Sequence, residues 1–158
     1  MKLSIVMYHY VRDLKNSRYP NIKGLDVKLF REQLKYIQNH YKVIRMEDLI
    51  SAFENNTKLP KNSILLTFDD GYKDHFDFVF PILNELGIQG SFFPVANPIK
   101  NGKVLDVNKI HFILAAQEDE VTLIQEIYSL LTKYREKFKL ESNEYYFKKL
   151  AHPGRWDS

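Results

Sequence analysis

Asp69 and Asp70 stand side by side where the apolar run Ser63-Ile64-Leu65-Leu66-Thr67-Phe68 stops, and Gly71 follows them. Two adjacent carboxylates leaving a buried strand are costly unless they are solvated, hydrogen-bonded or holding a cation. Successive strand residues point to opposite faces, so a sharp turn at Gly71 is what would bring both carboxylates to one mouth. In parallel sheets and (β/α) barrels, reacting groups collect at that mouth, the C-terminal ends of the strands. Adjacency argues against a glycosidase pair, whose carboxyls must flank a sugar from separate elements. The plain alternative is turn chemistry, with one aspartate capping the following helix and the other shaping the loop.

The five histidines, His9, His40, His75, His111 and His152, are the other groups able to bind a cation or carry a proton. No two of them are three or four residues apart, and the chain has no cysteine to serve as a metal ligand or nucleophile. His9 ends the first apolar run and has two readings. It binds substrate or steadies a carboxylate at the Asp69 mouth, or it rests on a backbone carbonyl. His75 falls in the first turn after Asp70, a place for a surface group or one supporting the site rather than a ligand. His40 lies at a helix end beside Tyr41, where a dipole contact suffices. Nothing in the spacing of His111 and His152 makes ligands of them.

The elements that must position these groups alternate through the first two thirds of the chain. Lys2 to Tyr8 reads as a first strand, and a loop with Asn16, Ser17, Pro20, Asn21 and Gly24 follows. Asp26 is placed to cap a helix whose inward face is Val27, Phe30, Leu34, Ile37 and Tyr41. Val43 to Arg45 forms a brief strand, and Met46 to Phe53 a short helix with Leu49, Ile50 and Phe53 inward. Ser63 to Phe68 is apolar on both faces, as in a parallel strand covered on both sides. Tyr72 to Leu86 carries a stripe of Phe76, Val79, Phe80, Leu83 and Leu86, with Pro81 imposing a kink or an altered first turn and Gly87 ending the helix. Ser91 to Val95 is the next strand. This order predicts right-handed βαβ units and a parallel sheet. After about residue 106 the pattern turns helical, with Val121, Ile124, Ile127, Leu131, Tyr134 and Phe138 on one long stripe and a second helix over 144–150.

With 158 residues, 44% hydrophobic and 27% charged, the chain fits one globular domain and excludes a disordered segment. The balance of 23 basic and 20 acidic residues gives a net charge of +3, which does not call for nucleic acid. The apolar start, Leu3 to Met7, is too short for a secretory core or a membrane span, so a soluble, cytoplasmic protein is expected.

The run Leu65-Leu66-Thr67-Phe68-Asp69-Asp70-Gly71-Tyr72, with Phe80-Pro81-Ile82-Leu83 and Gly90-Ser91-Phe92-Phe93 after it, resembles the NodB-homology polysaccharide deacetylases, carbohydrate esterase family 4. Met7-Tyr8-His9 is similar to the opening of one branch of that family. The resemblance covers roughly residues 3–97; residues 98–158 resemble an insertion that some members carry. It implies an α/β fold, a distorted and here incomplete (β/α) barrel of TIM-like type with a helical C-terminal segment. It also implies a hydrolase that removes acetyl groups from N-acetylated amino sugars with one divalent metal, zinc or similar. By the same resemblance Asp69 is the base that activates a water, Asp70 is the metal's carboxylate ligand, and His9 and Tyr72 touch substrate or support the site. The family's later His-Ser/Thr-x-x-His motif has no counterpart here. The chain is therefore expected to be the N-terminal portion of such an enzyme, with a βα core over 1–97 and a helical insertion over 98–158. The closing run His152 to Ser158 reads as a loop in mid-course.

Three functions compete at this point. The first is the metal-dependent deacetylase, or a fragment of one, acting on a polysaccharide or its precursor. The second is a non-catalytic module that binds carbohydrate or a partner, favoured by the missing histidine pair. The third, a phosphatase, would want Asp-x-Asp and a later lysine. An incomplete barrel would also expose apolar surface, with Tyr145, Tyr146, Phe147 and Trp156 as candidates for self-association.

Overall fold

A computed structural model describes residues 2–151. The expectations for His152, Trp156 and the closing run lie outside the described residues. Two compact units divide the chain, Met1–Ala116 and the residues from Gln117 onward.

In the first unit, β1 (Leu3–Tyr8), β2 (Val11–Arg12) and β3 (Leu25–Asp26) lead into α1 (Val27–His40). β4 (Lys42–Val43), α2 (Met46–Glu54) and β5 (Ser63–Asp69) follow. A π-helical turn at His75–Val79 runs directly into α3 (Phe80–Glu85), and β6 (Ser91–Phe93), α4 (Ala96–Asn101) and α5 (Asp106–Ala116) complete the unit. The architecture is mixed α/β with parallel strands, as the alternation predicts. β5 is the hub: β1 lies along one edge, from Leu3 beside Ser63 to Tyr8 beside Phe68. The other edge is shared by β4, at Ser63 and Ile64, and by β6, at Thr67 to Asp69. The described strands form this open four-stranded sheet and a separate β2–β3 pair, and they do not close into a barrel.

Residues Ser63 to Phe68 are all buried, which only a strand flanked on both edges and both faces achieves. Ile64, Leu66 and Phe68 point to the helix side and join Tyr8, Phe30, Leu34, Ile37, Val79, Ile82 and Leu83 in the main core. Tyr8 stacks on Phe68 at 5.1 Å between ring centroids and meets Phe30 edge-on at 5.2 Å. Asp26 caps α1 as expected, its Oδ1 accepting from the Lys28 N–H at 2.9 Å.

Two predicted helix faces are rotated. In α2 the buried residue is Ala52, whereas Ile50 is exposed and Phe53 is 82% exposed. In the segment after Asp70, Phe76 and Phe80 face solvent, and His75, Val79, Ile82 and Leu83 turn inward. Proline supplies the reason. Pro81 has no N–H for the carbonyl four residues back, and its ring would crowd that carbonyl. The chain answers with a wide turn in which the Phe80 N–H bonds to the His75 carbonyl, five residues back, and this shifts the register of the stripe. α3 then ends in a Schellman motif. Gly87 at φ +62° donates to Asn84, and Ile88 donates to Leu83.

The second unit holds α6 (Glu120–Phe138) and α7 (Asn143–Leu150), the two helices read from the sequence with shifted ends. Asp119 caps α6 through the N–H groups of Val121 and Thr122, and Ser142 caps α7 through that of Tyr145. The Arg135 guanidinium joins the helices by donating to Asn143 Oδ1 at 2.6 Å. No residue of either helix is buried, and Val121, Phe138, Phe147 and Leu150 are among the exposed apolar side chains. No helix among the described residues is long and apolar enough to cross a membrane.

Candidate active site

Asp69 is the last residue of β5 and pairs with Phe93 of β6. By strand alternation it shares the face of Leu65 and Thr67, opposite the core-facing Phe68. Asp70 follows with φ +71°, a left-handed conformation uncommon outside glycine, asparagine and aspartate, and its N–H bonds to the Phe93 carbonyl at 3.1 Å. Gly71 continues the turn at φ +66°. A methyl group there would lie 2.8 Å from Pro94 Cβ and 3.0 Å from Pro94 Cα, so glycine is required by conformation and by close approach. Both carboxylates are half-buried at the C-terminal end of the central strand.

Asp70 does not stand free. The Tyr72 hydroxyl donates to its Oδ2 at 2.6 Å. Behind Tyr72 lies Asn108 of α5, 6% exposed, whose Nδ2 donates to the Tyr72 hydroxyl at 2.8 Å and to the Tyr10 hydroxyl at 3.0 Å. An amide nitrogen has two protons, so each tyrosine oxygen takes one and is left its own proton to give. Tyr72 gives its proton to Asp70, and Tyr10 lies 3.3 Å from Nδ1 of His111. The Tyr10 and Tyr72 rings stack at 4.2 Å, and the Arg12 guanidinium sits 4.8 Å from the Tyr10 ring centroid. Burial foremost, then the bond to Asp70, pushes the Tyr72 phenol up from its ordinary value, so it stays a donor.

His75 and His9 have different fates. His75 is 4% exposed, which corrects its surface reading: the altered turn before Pro81 carries it inward, where it meets Phe68 and Tyr72 edge-on. Its Nε2 donates to the His9 carbonyl at 2.7 Å, tying the segment after Asp70 to the end of β1. Nδ1 is buried without a partner, and burial pushes the imidazole below its ordinary value. The His9 side chain is exposed, one residue past the Tyr8–Phe68 pair and so level with Asp69 across the strand ends. It lines a shallow groove of about 410 Å³ with Lys23, Gly24 and Leu25. A larger depression of about 630 Å³ lies near the opposite end of β5, beside Lys42, Val43 and Arg45, away from the carboxylates. Arg12 adds a second brace, its Nε and Nη2 reaching Asp74 Oδ2 at 2.7 and 2.6 Å. His40 closes on its own helix through the Tyr36 carbonyl at 2.8 Å.

Among the described residues no group of three or more His, Asp or Glu side chains is placed to hold a metal ion. Two carboxylates, one already accepting from Tyr72, do not make a metal centre by themselves. The sequence reading named Asp69, Asp70, His9 and Tyr72 but not Tyr10 or Asn108. The available signal was a polar Asn108 on the same helical stripe as Phe112 and Ala115.

Comparison with known proteins bears on the same segment. Residues 56–127 match the polysaccharide deacetylase family model. YxkH of Bacillus subtilis (strain 168), which carries a polysaccharide deacetylase name, is 27% identical over 99 residues, covering 62% of this chain and 33% of that protein. The poly-beta-1,6-N-acetyl-D-glucosamine N-deacetylase of Escherichia coli (strain K12) is 28% identical over 94 residues, covering 58% of this chain and 14% of that protein. The chain thus spans a third or less of the curated relatives it matches. In fold it is similar to a de-N-acetylase from Aggregatibacter actinomycetemcomitans, with TM-score 0.55, 21% identity, and 65% of this chain and 42% of that one covered. It is also similar in fold to a Streptococcus pyogenes deacetylase solved in complex with acetate, with TM-score 0.52, 17% identity, and coverage of 90% and 71%. Over its central segment, residues 56–127, the chain matches the polysaccharide deacetylase family model, and it is similar to proteins named as deacetylases along part of their length.

Proposed function

We propose that this chain carries the first part of a hydrolase site that removes acetyl groups from N-acetylated amino sugars of a polysaccharide or its precursor. The observation that carries the reading is the half-buried Asp69-Asp70 pair at the C-terminal end of β5, inside the segment that matches the family. Hydrolysis adds one water across the amide: its oxygen bonds to the acetyl carbon to give acetate, and the nitrogen leaves as the sugar amine. Asp69, at the strand end, is the general base that takes the proton from the attacking water. Asp70 would be one ligand of a divalent ion, whose charge lowers the pKa of water and polarises a carbonyl, with the other ligands supplied from outside the described residues. His9, exposed and level with Asp69 beside the groove, is placed to meet the sugar. In the same reading the open parallel sheet is the opening part of a distorted (β/α) barrel.

The test is acetate release from N-acetylglucosamine oligosaccharides by the protein as its own cell makes it. Asp69→Asn should abolish release while leaving the melting temperature nearly unchanged; full activity in that variant would sink the base assignment. One observation favours a second reading, a non-catalytic carbohydrate-binding module: the described residues hold no complete set of metal ligands. Oligosaccharide binding that survives chelation, without acetate release, would decide for it.

A further inference from the structure

The helix Asp106–Ala116 lies outside the strands that make the site, yet it places one buried polar side chain, Asn108, against them. A buried amide costs stability unless its donors are used. Both protons of Asn108 are used, one on Tyr72 and one on Tyr10, and the two rings are stacked face to face. The arrangement has a direction. Tyr72 receives from Asn108, so its single proton can go only outward, to Asp70. Tyr10 is itself held by Arg12, and Arg12 by Asp74. Asp70 sits in a left-handed conformation just past the last residue of β5, and the Tyr72 hydroxyl donates to its carboxylate at 2.6 Å.

We propose that Asn108 is a positioning residue for Asp70, acting through Tyr72, so that α5 is a working part of the site rather than an appended helix. This rests on the reading of Asp70 as a site carboxylate. Asn108 touches neither substrate nor the reacting atoms in this scheme. Its effect is to fix the direction of the Tyr72 hydroxyl, and through it the carboxylate.

The test compares Asn108→Asp, Tyr72→Phe and the double variant, in the full protein. Asn108→Asp keeps the shape of the side chain but removes both donors, and Asn108→Leu serves if the added charge prevents folding. The readouts are kcat and KM for acetate release from N-acetylglucosamine oligosaccharides, and crystal structures showing where Tyr72 Oη and Asp70 Oδ2 sit. Each single variant should lose about tenfold or more in kcat, with KM within about twofold, as for other residues that orient a working group. The double variant should be no slower than Tyr72→Phe, because one residue acts through the other. In the crystals the Asp70 carboxylate should turn or take two positions. Losses that multiply in the double variant, or full kcat with Asp70 in place, overturn the proposal. Acetate release by the wild type separates the two ideas, and an Asp69→Asn variant that keeps its activity sinks only the base assignment. If the wild type releases no acetate, the deacetylase reading falls, and the crystal structures alone judge Asn108. An Asp70 carboxylate that keeps its place without the Asn108 donors then overturns the inference, and one that turns supports it.

Discussion

Gly71 is where conformation, packing and the site meet, and replacing it by alanine separates their costs. The residue sits at φ +66°, a region that costs an L side chain about 1–2 kcal/mol. Its added methyl would also lie 2.8 Å from Pro94 Cβ and 3.0 Å from Pro94 Cα. Neither atom belongs to a side chain that can swing aside, so the segment after β6 must move, and overpacking of that kind costs about 1–3 kcal/mol. Gly71→Ala should therefore lose about 2–5 kcal/mol. Gly87 is the internal control, because it has nearly the same dihedral, φ +62°, and nothing within 4 Å of the position of a methyl. Gly87→Ala should lose only the conformational part, about 1–2 kcal/mol. The difference, about 1–3 kcal/mol, isolates the close approach of Pro94. Amide hydrogen exchange at Leu65 and Leu66 reads it directly. Both are buried in the central strand, and the chain has two compact units whose global unfolding need not be one transition. Equal losses in the two variants would refute the packing argument, and a smaller loss for Gly71→Ala would refute the conformational one too.

Two further outcomes follow from the same geometry. Burial pushes the His75 imidazole below its ordinary 6.5, so on acidification the unfolded chain takes the proton first. Stability from this group is complete above about pH 6.5 and falls as the pH drops below it toward the folded value, by up to about 1.4 kcal/mol per pH unit. His75→Gln should flatten that part of the urea-stability curve, and parallel curves for the two proteins from about pH 6.5 down to 5 would rule out the assignment. Gly90→Ala should cost about 1–3 kcal/mol by overpacking, because its methyl would meet Phe68 Cε2 at 2.5 Å and Leu83 Cδ1 at 2.9 Å in the core; a melting temperature equal to wild type would contradict it.

The sequence made the strand ends legible and left much of what braces them unread. Ser63 to Phe68 announces a buried parallel strand because apolar side chains on both faces have no other use in so short a run. Asp69 and Asp70 stand out against it for the same reason. Asp26 is likewise a local signal, since a cap bonds within its own first turn. Phe53, Phe76 and Phe80 misled the reading because periodicity marks which residues share a stripe, not which stripe is buried. The π turn before Pro81 changes the angle between successive residues, and no regular template carries that. Tyr10 and Asn108 stayed hidden for a different reason: 98 residues separate them, and their bond exists only in the folded chain.

The π turn also explains why His75, read from the sequence as a surface or a supporting group, is buried. A regular helix running into Pro81 would leave the Asp77 carbonyl without its partner and press the proline ring against it. The turn widens instead, the Phe80 N–H bonding to the His75 carbonyl, and His75 lies inward, where its Nε2 reaches the His9 carbonyl. That bond joins the segment after Asp70 to the end of β1. The Arg12–Asp74 pair joins the same segment to β2, and Tyr72 with Asn108 joins it to α5. Three independent bonds thus converge on the few residues after the carboxylate pair, where a left-handed aspartate and a glycine leave the backbone least restrained by regular structure. Bracing concentrated at that turn is what the proposed site needs for Asp70, which lies just past the last residue of β5 and has no strand or helix to hold it.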